Sequence, residues 1–122
     1  MLGKRVISIA AIISALVSGA GVAGDVEIVD ATAKEGAGGW TFSVTLKHGD
    51  TGWDHYSDLW EVYTPEGELL GKRVLAHPHV NEQPFTRSLS GVQVPDDITS
   101  VIIRARDSVH GVSPQEFRLE LP

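Results

Sequence analysis

Trp40-Thr41-Phe42-Ser43-Val44-Thr45-Leu46 alternates large apolar and hydroxyl side chains without a break. A period of two puts successive side chains on opposite faces, so this stretch predicts a half-buried β-strand rather than a helix. Two later segments repeat the pattern. Val101, Ile103 and Ala105 alternate with Ile102, Arg104 and Arg106, and Phe117, Leu119 and Leu121 alternate with Arg118 and Glu120. Tyr56 to Tyr63 and Leu69 to Ala76 flank Thr64-Pro65-Glu66-Gly67, a Pro/Gly turn signal that predicts a hairpin. Val26 to Ala31 reads as a first strand, and Phe85 to Val94 as a less regular one ended by Pro95. No stretch of the chain beyond its first two dozen residues carries a sustained helical period.

Seven strands are therefore expected, over residues 26–31, 40–47, 56–63, 68–76, 85–93, 100–106 and 115–121. Short strands with regular turn signals predict an all-β, two-sheet sandwich of the immunoglobulin or fibronectin III kind, with Trp60 as its core aromatic.

The start of the chain reads differently. Lys4 and Arg5 precede Val6 to Val17, which is apolar apart from Ser8 and Ser14, and small residues follow from Ser18 to Gly24. That is the layout of a helical signal peptide, residues 1–23, with cleavage after Ala20 or Ala23. The apolar run is short for a membrane span. No cysteine follows it to carry a lipid. The expectation is a single sandwich domain over residues 24–122, periplasmic or secreted and free of the membrane after cleavage.

Composition then removes several chemistries. The 122 residues are 42% hydrophobic and 21% charged, which suits a globular domain and not a disordered one. The formal charge is −6, and −8 without residues 1–23, so a broad basic surface for nucleic acid is excluded. The chain has no cysteine, hence no disulfide, thiolate ligand or thiol nucleophile.

Strand direction places the five histidines. If residues 40–47 run upward, His48 and His55 lie in the loop at the top. Residues 68–76 run upward again and deliver His77 and His79 to the same end. Residues 100–106 do likewise for His110. Asp50, Asp54, Glu82 and Asp107 join them. Imidazole and carboxylate suit iron, copper or zinc, so a transition-metal site is predicted from His55 and His110 first, then His79, His77 and His48, with Asp107 as the carboxylate. Pro78 should turn His77 and His79 away from each other, so one would bind and the other support it or face solvent. Exposed loop histidines without metal are the competing expectation.

These residues resemble the iron domain of the desulfoferrodoxin and neelaredoxin (superoxide reductase) family. Lys47-His48-Gly49-Asp50, His55-Tyr56, Leu59-Trp60-Glu61-Val62-Tyr63 and Asp107-Ser108-Val109-His110-Gly111 look like that family's motifs. The resemblance implies an immunoglobulin-like sandwich holding iron on four histidines and a cysteine. Asp107 stands where the family has its cysteine, so this sequence lacks the thiolate of the family's route to superoxide reduction. The family's first histidine has no counterpart, leaving His77 or His79 to replace it.

Other sites are weaker. Asp50, Asp54 and Asp58 recur every fourth residue but do not follow the EF-hand spacing. Ser108 beside Asp107 and His110 does not make a nucleophile triad without geometry. Trp53 is left as an exposed contact for a glycan or protein. The expected function is an exported metal-binding sandwich, redox-related or metal-carrying; the alternative is a metal-free interaction module presenting the same loops to a protein or glycan.

Overall fold

The computed structural model describes residues 25–122; the signal segment expected over 1–23 lies outside them. The chain forms β1 (Glu27–Gly36), β2 (Gly39–Lys47), β3 (Ser57–Tyr63), β4 (Leu69–Val74), β5 (Phe85–Val92), β6 (Ser100–Asp107), β7 (Gly111–Val112) and β8 (Phe117–Glu120). One sheet has the order β1-β2-β5. The other runs β4-β3-β6-β7, with β8 also paired to β6. All strand pairs are antiparallel. No helix among the described residues is long and apolar enough to cross a membrane.

The alternation in β2 does what its period requires. Phe42, Val44 and Leu46 are buried. On the other face Thr41, Ser43 and Thr45 pair by hydroxyl contacts with Ser90, Ser88 and Thr86 of β5, at 3.2, 2.8 and 2.7 Å. Val101, Ile103 and Ala105 of β6 and Phe117 and Leu119 of β8 meet them across the sandwich, and Trp60 is fully buried among them. Burial of each large apolar side chain contributes about 1.5–3 kcal/mol.

Two elements differ from expectation. β1 continues past Ala31 to Gly36, because Gly36 pairs with Gly39 and closes a tight hairpin with β2. The last strand is broken between β7 and β8 around Ser113 and Pro114. Proline has no N–H to continue a ladder. The residues beside it bind the other sheet instead. Ser113 Oγ accepts the Val26 N–H at 2.9 Å. The Gln115 amide accepts the Ile28 N–H at 2.7 Å and donates to the Ile28 carbonyl at 3.1 Å. These buried bonds fasten the start of β1 to the second sheet.

Register fixes which loops meet. Glu27 lies opposite Lys47, and Ser57 opposite Asp107. The start of β1, the end of β2, the start of β3 and the end of β6 therefore share one pole. The Leu75 N–H donates to the Asp58 carbonyl at 2.9 Å, which brings the chain after β4 to that pole too.

Candidate metal centre

Asp107 ends β6 and its side chain is wholly buried. The turn that follows, Ser108 to His110, is closed by Gly111 at a φ of 77°, a left-handed conformation that glycine adopts without strain. Asp107 Oδ1 accepts the N–H groups of Val109, at 2.8 Å, and His110, at 2.5 Å. Oδ2 lies 3.1 Å from His110 Nδ1. Burial pushes this carboxyl up, but the His110 and Val109 N–H donors and the His110 ring outweigh it and hold it below the usual range. Asp107 is a buried carboxylate.

Two further rings face it. His48 Nε2 is 3.4 Å from Asp107 Oδ2, and His55 Nε2 is 3.5 Å from Oδ1. Both distances are long for hydrogen bonds. They are ordinary for two ligands of one ion: donors about 2.1 Å from a tetrahedral metal stand roughly 3.4 Å apart. His55 Nε2 is buried and has no hydrogen-bond partner among the described residues. One atom each from His48, His55 and Asp107 fall within 4.8 Å of one another.

His48 is oriented from behind. Its Nδ1 lies 2.5 Å from Asp50 Oδ1, which also accepts the Ser57 N–H at 3.1 Å. A proton on Nδ1 directs the Nε2 lone pair toward Asp107, the carboxylate–histidine arrangement that supports metal ligands. Gln83 completes the cradle. Its Oε1 accepts the His48 N–H at 3.0 Å and its Nε2 donates to the His79 carbonyl at 2.9 Å.

His77 and His79 are placed elsewhere. The His79 ring stacks on Phe85, centroids 3.9 Å apart, and Arg87 Nη2 donates to its Nε2 at 2.8 Å. Burial, then the Arg87 charge, then His77 lower its pKa. Its backbone N–H donates to Asp50 Oδ2 at 2.8 Å. His77 is exposed, with Nδ1 3.2 Å from the Pro78 carbonyl. The structure thus gathers His48, His55, His110 and Asp107, and leaves His77 and His79 outside that group.

The Asp50, Asp54 and Asp58 series has no common focus: Asp50 holds His48, whereas Asp58 pairs with Arg106 at 3.1 Å. Ser108 Oγ accepts the Tyr56 N–H at 3.0 Å and is not bonded to His110. Trp53 is 66% exposed and meets Tyr56 edge-on at 5.5 Å.

Sequence reasoning missed the partner roles of Asp50 and Gln83, and it missed Asp25. Asp25, Asp107 and His110 form a second set of donor atoms within 4.8 Å of one another. The signal for Asp25 was available: β1 is antiparallel to β2, so residues just before β1 must lie beside His48.

No protein-family model matches the chain. No solved structure matches it significantly. A protein of Halomicrobium mukohataei described as "Putative lipoprotein" is 42% identical over 92 residues, which are 75% of this chain and 45% of that protein. The chain therefore spans under half the length of the relative it matches.

Proposed function

We propose that this is an exported sandwich protein, of the immunoglobulin kind, that binds a divalent transition metal through His48, His55 and Asp107. The observation that carries the proposal is the buried Asp107 carboxylate with two imidazole nitrogens at 3.4 and 3.5 Å, one of them without a hydrogen-bond partner. Leaving such a nitrogen unsatisfied costs about 1–3 kcal/mol, and a bound ion removes that cost.

Two imidazoles and one carboxylate suit zinc and ferrous iron, and imidazole suits copper as well. The resemblance to the superoxide reductase iron domain favours iron, while the oxygen donor of Asp107 in place of a thiolate favours zinc. A bound ion would supply Lewis acidity or a redox couple. His48 and Asp50 would hold the site in shape. Export to the periplasm or outside the cell is supported by the Lys4–Val17 pattern and by the relative's description as a lipoprotein.

Elemental analysis of the purified protein, followed by titration with Zn(II), Fe(II) and Cu(II), tests the proposal. An ion present at 100 times its Kd should stabilise the fold by about 2.7 kcal/mol. Absence of bound metal together with no stability change for any of the three ions overturns it. Trp53, exposed beside the same pole, would then favour the metal-free module that docks a protein or glycan.

A further inference from the structure

The two sets of donor atoms at this pole have one residue in common, Asp107. His48 and His55 make up one set with it; Asp25 and His110 make up the other, and His110 does not enter the first although its ring lies 4.9 Å from that of His55. The sets also differ in exposure. The His48 side chain is fully buried, whereas His110 is 40% exposed.

Charge points the same way. Asp25, Asp50 and Asp107 crowd the pole, and among the described residues no lysine or arginine salt-bridges any of them. One divalent ion on His48, His55 and Asp107 would leave Asp25, which belongs to the other set, outside its ligands. Carboxylates are the usual bridges where two ions share a site.

The start of β1 is also held firmly. The Ser113 bond to the Val26 N–H and the Gln115 bonds to Ile28 fix the backbone next to Asp25, so its side chain is presented by structure rather than by a loose end.

We infer that the pole binds two divalent metal ions bridged by Asp107, an inner one on His48 and His55 and an outer one on Asp25 and His110. The inference rests on the metal-binding reading above and adds a second site to it. The outer ion, beside the exposed His110, is the one that meets solvent and any anionic ligand.

Zn(II) titration of chelator-stripped protein by calorimetry, with zinc content measured after desalting, tests it. The protein should take up about two equivalents. Asp25→Asn should lower this to about one and leave the tighter affinity within roughly twofold, whereas His110→Gln should lower it to about one and also weaken the tighter site, because the His110 ring lies 3.1 Å from Asp107 Oδ2. His77→Gln should still bind two, which separates the outer site from binding by an exposed loop histidine. One equivalent in the unaltered protein overturns the pair of ions but keeps the inner site. Two equivalents persisting in Asp25→Asn and in His110→Gln overturn the assigned ligands. No uptake at all is the separate failure of the metal-binding reading, and the pair of ions falls with it.

Discussion

His48 and His79 are both buried, both lie in loops at one pole of the sandwich, and both lean on Asp50. They differ in which part leans. His48 gives Asp50 its ring Nδ1, and so aims Nε2 at the Asp107 carboxylate. His79 gives Asp50 its backbone N–H, and its ring goes to Phe85 and to the Arg87 guanidinium. A guanidinium only donates, so the His79 Nε2 lone pair is committed to it. Residue type and loop membership are shared. What faces the ring nitrogen decides whether it is offered to an ion or used within the fold.

The largest expected effect comes from removing the centre of the first group. Asp107→Asn leaves the shape and takes away the charge that both rings face. Zinc affinity should fall by more than about 100-fold, since this exceeds the loss of an outer partner. Stability of the metal-free protein should fall by about 1–3 kcal/mol through weakened bonds to Val109 and His110, measured by urea denaturation. Unchanged zinc affinity would remove Asp107 from the site.

A sharper test sets the two groups side by side. His55→Gln should lower zinc affinity by at least about 100-fold, while His79→Gln should leave it within roughly threefold. Equal losses in the two variants would erase the distinction between the groups.

Asp50 joins them, so Asp50→Asn should act on both. Zinc binding should weaken by about 10- to 100-fold, the range for a partner behind a ligand. The fold should also lose about 1–3 kcal/mol, because Ser57 and His79 both donate backbone N–H groups to that carboxylate. A loss of stability with full affinity would make Asp50 a loop brace only.

The smallest effect is in pH. The His79 pKa is lowered in the folded protein by burial and then by Arg87, so the unfolded chain binds its proton first as the pH falls. Its contribution to stability is full above the unfolded value near 6.5 and is lost as the pH drops from there toward the lowered folded value. In metal-free protein, His79→Gln should flatten the decline of stability between neutral and mildly acid pH. A parallel curve for the variant would show that His79 does not titrate in this way.

Much of the architecture was legible because β-strand periodicity is local. Phe42, Val44 and Leu46 had to share a face, and Trp60 had to be inside. The gathering of His48, His55 and His110 at one pole followed from counting strand directions. The break between β7 and β8 was hidden, although Pro114 marks it, since the bonds that compensate run to Val26 and Ile28 at the far end of the sequence. The Arg87 contact with His79 was hidden for a similar reason. Arg87 lies on β5, and its direction depends on how β5 packs against the preceding loop. Asp25 was legible in principle, once β1 was taken as antiparallel to β2.

The sequence by itself determined the alternating strands, the acidic charge and the absence of any thiolate, all of which follow from residue identity and a period of two. Tertiary structure decided which imidazoles turn toward Asp107, that Asp50 orients one of them, and that Asp25 stands beside His110. The physical reason is range. Periodicity is written over a few neighbouring residues, whereas ligand and hydrogen-bond geometry is settled within about 2–3.5 Å between atoms that the chain brings together from distant segments.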